Sequence, residues 1–286
     1  MFRAVLPAVI LSGGCIQKLP EVDAPCKRWE APGLYTYDTT VDGKKRHAYV
    51  YVPNSVGPRD LVFAIHGAGQ TRREFATATR FIPLADKEGF VVVFPKGTGL
   101  LRKSWDGVEE ARQVDDVRFL DQLARELSGS VCGADVLGVG FSFGGLMAHR
   151  WACEGNQVDA IVPAAGVVGS PTCSGPPIPI RHYHGNADTA IAYKGTDFPI
   201  YNVSLVGVEE SMEVWRARNE CEPQVPPETW VDGDTTCQAW SCAVPTELCT
   251  LDGWGHQWPG GANRGAKQHD ATLESWGWFL EQEPSP

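Results

Sequence analysis

Residues 134–153 (ADVLGVGFSFGGLMAHRWAC) constrain the fold of this chain more than any other stretch. Ala134–Val139 has the apolar, β-rich character of a strand, and Gly144–Cys153 reads as a helix. Gly140-Phe141-Ser142-Phe143 alone separates them. So abrupt a passage from strand to helix presses two backbones together, and the glycines at 140 and 144 leave room where side chains would collide. Gly-x-Ser-x-Gly in this setting is a sharp turn that holds a serine strained and exposed. Ser142 is therefore the candidate nucleophile, and the N-terminus of the following helix stabilises negative charge beside it.

Further apolar runs of strand length alternate with helical patterns on both sides of this turn. His47–Val52, Leu61–Ile65, Phe90–Phe94, Asp159–Pro163 and Ile178–Tyr183 read as strands. The unbroken FVVVF of Phe90–Phe94 suits a parallel strand covered on both faces. Val114–Leu127 places Val117, Leu120, Ala124 and Leu127 on one helix face. Asp270–Leu280 is a helix with Asp270 as its N-cap. This alternation predicts an α/β fold with a mainly parallel central sheet flanked by helices. A hydrophobic fraction of 43% in 286 residues is enough to pack a real core. Glu222–Cys249 reads as loop-rich and cysteine-stapled, too short for a domain of its own. One catalytic domain over residues 33–284 is expected, after a signal at 1–15 and a tether at 16–32.

A serine hydroxyl attacks only when a base takes its proton, and an imidazole base needs a carboxylate to fix its tautomer. Downstream of Ser142, IPIRHYHG runs into Asn186-Ala187-Asp188, so Asp188 follows a strand end. Gly253-Trp254-Gly255-His256-Gln257-Trp258 then presents a histidine in a glycine-rich loop. The order Ser142, Asp188, His256 is that of a strand–turn–helix nucleophile with its acid and base. Asp252 and Asp197 are competing acids of lower rank, while His47, His149 and His269 are read as structural. An oxyanion would be held by the backbone N–H of Phe143 and a second N–H from the loop His66-Gly67-Ala68-Gly69-Gln70, assigned to Ala68 with Gly67 or Gly69 one residue away. His66 is read as scaffold beneath that loop. Trp105, Trp254 and Trp258 are candidates for an aromatic wall against substrate.

The N-terminal MFRAVLPAVILSGGC has the charged start, apolar middle and small-residue exit of an export signal. Cys15 after Ser-Gly-Gly resembles a lipidation box, the alternative being a plain signal peptide cut nearby. Membrane anchoring would come through that N-terminal lipid alone. The other eight cysteines form an even set without CxxC spacing, which in an exported chain points to disulfides rather than a metal site. Spacing leaves their connectivity open. Cys153–Cys173 and Cys221–Cys242 are favoured because each closes a loop beside a candidate site segment. A net charge of −10 argues against nucleic acid as a partner.

Taken together these segments resemble the secreted poly(3-hydroxybutyrate) depolymerase and feruloyl esterase family of α/β-hydrolases. The matching stretches are HGAGQ at 66–70, VVFPKG at 92–97, Trp105 followed by VDDVRFL at 114–120, GFSFGG at 140–145 and ACE at 152–154. HGNAD at 184–188, Trp215 with RNEC at 218–221, and GHQWPGG at 255–261 continue in family order. The resemblance implies ester hydrolysis without cofactor through Ser142, Asp188 and His256; with the export signal and no metal-ligand spacing, an extracellular or surface-held monomer without a metal is expected. Its substrates would be feruloyl or acetyl esters of plant polysaccharide, or a short polyhydroxyalkanoate. It supports the two disulfides above, treats Asp115 and Asp116 as structural, and leaves Cys237–Cys249 as an extra bridge across a hairpin. Trp254 and Gln257 depart from the small glycine and threonine usual there. Two other readings stand beside this one: a serine peptidase of similar fold and a non-catalytic carbohydrate-binding surface protein.

Overall fold

The computed structural model describes residues 31–54, 60–98, 104–105, 115–131, 135–170, 172–173, 175–198, 203–263 and 269–282. The export signal, Cys15, nearly all of the tether, Cys26 and Cys132 lie outside the described residues. The chain builds a ten-stranded sheet. Its centre is six parallel strands, in spatial order β4 (Val91–Pro95), β3 (Leu61–Ile65), β5 (Val136–Phe141), β6 (Ala160–Ala164), β7 (Ile180–Gly185) and β12 (Thr246–Leu251). Every residue of β3, β4, β5 and β6 is buried. That is the physical cause of their uniform apolar sequence, since a parallel strand with helices on both faces has no wet side.

Antiparallel hairpins close both edges. β1 (Gly33–Val41) and β2 (Lys44–Val52) pair through an Asp42-Gly43 turn in which both residues have positive φ. Such a turn matches the right-handed strand twist. At the other edge β10 (Glu228–Asp232), β11 (Thr235–Ala239) and β12 form a meander. This corrects the reading of 222–249 as loop: apart from Val231 its strands carry polar residues on their solvent face, and β12 is seated by pairing with distant β7. β8 (Thr196–Phe198) and β9 (Val203–Leu205) form a separate two-stranded ribbon.

The helices divide between two cores. On one face α1 (Arg72–Thr79), α2 (Phe81–Glu88) and α6 (Ala271–Leu280) pack Phe75, Phe81 and Trp276 against the sheet. On the other, α3 (Asp116–Val131), α4 (Phe143–Glu154) and α5 (Val208–Arg218) contribute Phe119, Trp151 and Trp215. Two helix starts follow the expected chemistry. Thr71 and Glu74 form a capping box on α1, and the Asp270 side chain caps the Thr272 N–H of α6. Asp115 accepts from the Arg118 N–H, and Asp116 is buried in an ion pair with Arg46, so both act at the start of α3.

Three disulfides are present among the described residues: Cys153–Cys173, Cys221–Cys242 and Cys237–Cys249. The third joins residues directly opposite each other on β11 and β12, and both are fully buried. Replacing Cys237 and Cys249 together by serine is expected to lower stability by about 2–4 kcal/mol through lost chain constraint and buried hydroxyls. Urea denaturation measures it, and an unchanged midpoint would contradict a structural role for the bridge.

Candidate active site

The strand order reverses around β3, which lies between β4 and β5. Loops leaving neighbouring strands diverge to opposite faces there and open a crevice at the carboxyl ends. Four such loops carry the candidate residues: 66–71 after β3, Ser142 after β5, 186–191 after β7 and 252–260 after β12.

Ser142 occupies φ 56°, ψ −123°, a region costly for any residue with a Cβ. The glycines around it explain how the turn is met. A Cβ on Gly140 would lie 2.0 Å from the Gly144 carbonyl oxygen, and one on Gly144 would lie 2.0 Å from the Ile65 carbonyl oxygen. Gly166 packs close behind, where a Cβ would approach the Ser142 carbonyl oxygen to 2.5 Å. The Ser142 N–H donates to Ala164 at 2.9 Å, and its carbonyl accepts from Leu146 at 3.0 Å.

Three side chains far apart in sequence meet at this turn. His256 Nε2 lies 2.8 Å from Ser142 Oγ, and His256 Nδ1 lies 2.7 Å from Asp188 Oδ2. The other carboxylate oxygen of Asp188 accepts from the Ala190 and Ile191 amides at 2.8 and 3.0 Å. Burial pushes the Asp188 carboxyl up, but the His256 contact and the two amides outweigh it, and the group is held below the usual carboxylate range. Phe141 lays its ring beside His256 at 4.9 Å. The competing acids are elsewhere. Asp252 accepts from Asn186 Nδ2 at 2.9 Å, and Asp197 is exposed on β8. Asn186 also accepts from the Gly253 N–H at 2.8 Å, so it ties the Asp188 loop to the His256 loop. Sequence reasoning passed over Asn186, although an asparagine two residues before the acid is well suited to such a turn.

The loop 66–70 lies against the same turn: a Cβ on Gly67 would be 3.2 Å from Ser142 Cβ. The Gly67 N–H is taken by the Gln70 side chain at 3.0 Å. Ala68 follows it in an exposed turn, and Phe143 is the first residue of α4, where backbone N–H groups have no partner within the helix. His66 braces the loop. Its Nδ1 lies 2.8 Å from the Gly67 carbonyl, and Nε2 accepts from the Gly97 N–H at 3.2 Å. Burial lowers the His66 pKa, in keeping with a neutral imidazole that donates on one side and accepts on the other.

Trp105, Trp254 and Trp258 do not form an open aromatic wall, for they are only 3%, 6% and 2% exposed. Each uses its indole N–H as an anchor. Trp105 donates to the His66 carbonyl at 2.8 Å, Trp254 to Asp234 at 2.6 Å and Trp258 to Thr272 at 2.9 Å. Trp258 is also wedged against Phe75 and Phe81. Their place is beneath the loops, holding them to the cores. His47 and His269 are likewise structural, bonded to Asp38 and to Asp232 with Tyr183.

The collision at Gly144 involves backbone atoms on both sides, which cannot yield. Gly144→Ala is expected to destabilise the fold by about 3 kcal/mol or more. Chemical denaturation checks it, and a variant as stable as the parent would refute the close approach of α4 to β3.

Similarity to known proteins agrees with this architecture. The bifunctional acetylxylan esterase/xylanase XynS20E of Neocallimastix patriciarum is 33% identical over 159 residues, 53% of this chain but 23% of that protein. The putative esterase NocK of Nocardia uniformis subsp. tsuyamanensis is 27% identical over 261 residues, 78% of this chain and 74% of its own length. Feruloyl esterase B of Piromyces equi is 23% identical over 211 residues, 68% of this chain and 39% of its own. The chain thus spans about a quarter of the first of these and well under half of the third. The solved structure of an acetyl xylan esterase from Aspergillus awamori shares the fold at a TM-score of 0.66 and 16% identity, over 87% of this chain and 99% of that one. The alpha/beta hydrolase family model matches residues 61–283, which hold the six parallel strands and all the described helices, and the chain belongs to that family.

Proposed function

We propose that the protein is a serine esterase that cleaves carboxylic esters through an acyl-enzyme. The observation that carries this reading is the position of His256, within hydrogen-bond reach of Ser142 Oγ on one side and Asp188 on the other. Ser142 Oγ attacks the ester carbonyl while His256 Nε2 takes its proton. Asp188 accepts from His256 Nδ1–H, fixing the tautomer and stabilising the imidazolium. The Phe143 and Ala68 amides hold the oxyanion, a role that falls past Gly67 because Gln70 occupies the Gly67 N–H. His256 then returns the proton to the leaving alcohol, and water repeats the cycle on the acyl-serine. The wiring of all three side chains favours a catalytic over a purely carbohydrate-binding role.

The acyl group is acetyl or feruloyl and the alcohol a plant polysaccharide. This rests on the names of relatives, an acetylxylan esterase/xylanase and a feruloyl esterase. We place the protein outside the cytoplasm, a reading supported by three disulfides, which persist in oxidising compartments.

Ser142→Ala is expected to reduce hydrolysis of p-nitrophenyl acetate and methyl ferulate by at least about a thousandfold with the fold intact. Retained activity would reject the mechanism. The pH dependence has a definite form. Because its pKa is depressed, Asp188 stays ionised above and through the ordinary carboxylate range of about 4 and is neutralised only below it. The acid limb of log kcat/KM should therefore have the slope of about one that a single imidazole proton gives. A slope near two would show that Asp188 titrates as well.

A further inference from the structure

Three buried histidines stand in line behind the candidate triad: His149 on α4, and His182 and His184 on β7. The His149 and His182 rings are 5.4 Å apart, and His182 stacks on His184 at 5.4 Å with planes 8° apart. His182 Nε2 lies 3.1 Å from His184 Nδ1. The line ends on two carbonyls, with His184 Nε2 2.8 Å from Ile191 and His149 Nε2 3.2 Å from Gly166. Trp215 closes it by donating to His149 Nδ1 at 2.8 Å.

Burial disfavours charge on each ring, and with one proton apiece these partners place them all. A carbonyl only accepts, so His184 and His149 donate from Nε2. An indole N–H only donates, so His149 Nδ1 is a lone pair. His184 Nδ1 then accepts from His182 Nε2–H, and His182 Nδ1 has no partner among the described residues. All three rings are neutral Nε2–H tautomers. Burial lowers the pKa of each, that of His149 to about 3.

Both ends of the line bear on the site. Ile191 belongs to the turn whose amides hold Asp188 Oδ1, and Gly166 sits against the Ser142 carbonyl. His184 Nε2 is also 3.6 Å from Asp188 Oδ2, the oxygen that His256 holds at 2.7 Å. The titratable groups facing His184 are His182 on its own strand, His149 on α4, Asp188, His256 and Tyr193. The Tyr193 ring stands edge-on at 5.9 Å, with its hydroxyl turned to Glu209 and Thr250. A positive charge on His184 would compete with the His256 imidazolium for one carboxylate oxygen.

We propose that His184 and His182 are positioning residues for the reaction: His184 holds the turn 188–191 through the Ile191 carbonyl, and His182, by donating to His184 Nδ1, keeps a second imidazolium from forming beside Asp188. This rests on the serine esterase reading above. His182→Leu removes the donor, so His184 Nδ1 is free to take a proton. The acid limb of its kcat/KM should move up by about one pH unit. His182→Gln, whose amide can donate in the same place, should return the limb to that of the parent. His184→Phe should lower kcat about 10- to 100-fold with KM within about twofold, because the acid is misplaced rather than substrate binding lost. Imidazole nitrogen NMR of the unaltered protein should show His182 and His184 as neutral Nε2–H rings between about pH 7 and 8, whether or not a variant folds. A charged His184 in that range, a parental pH profile in His182→Leu, or parental kcat in His184→Phe would overturn the proposal. The nitrogen spectrum needs no turnover, so it is independent of the Ser142→Ala assay, in which retained activity would instead reject the reading on which the proposal rests.

Discussion

The contact between Gly144 at the start of α4 and the Ile65 carbonyl at the end of β3 sets the geometry of everything around it. Helix and strand touch there through backbone atoms alone. The closeness swings Ser142 into its strained conformation and brings the Gly67 loop alongside it. Strain of this kind costs on the order of 1–3 kcal/mol and persists only where the surroundings over-determine it. Here the surroundings are β5 fully buried between β3 and β6, the Ala164 and Leu146 hydrogen bonds to the Ser142 backbone, and Gly166 pressed behind.

The rest of the candidate site is made of loops, and loops need anchoring to hold a geometry. The aromatic residues supply much of it. Trp105, Trp254 and Trp258 each spend their one indole proton on a different loop or helix, and their rings fill the volume beneath. Histidines supply the remainder: His66 links the loop after β3 to Gly97, and the buried line at 149, 182 and 184 links the acid turn to Gly166. A neutral imidazole suits this work because it offers one donor and one acceptor at opposite ends without the cost of burying charge.

How much was legible follows from how local each cause is. Leu61–Ile65 and the FVVVF run stood out because burial on both faces imposes an unbroken apolar sequence. β1 escaped notice although Asp42-Gly43 between alternating segments is a strong hairpin signal; its inward face of Tyr35, Tyr37 and Thr39 is only half-buried, so its contrast is weak. β10 and β11 escaped for a sharper reason. Apart from Val231 their outward residues are polar, and they join the sheet only through β12, whose seat beside β7 is a pairing across more than sixty residues. The family resemblance pointed to a hairpin bridged by Cys237 and Cys249, and those two residues do pair across β11 and β12, although the periodicity of the segment alone shows neither strand.

By itself the sequence determined the α/β alternation, the sharp turn at Ser142 and the order in which Ser142, Asp188 and His256 follow one another. These rest on periodicity and on short-range sterics, which a few neighbouring residues impose. Only the tertiary structure decided that Asp188 rather than Asp252 faces His256, that the three tryptophans lie under the loops, and that His182 stacks on His184 behind the acid. His256 meets partners 68 and 114 positions away in the chain, and those meetings depend on the register of β7 between β6 and β12. Shifting that register by one residue would turn every side chain of β7 to the opposite face of the sheet, and no local pattern encodes which of its neighbours it will find there.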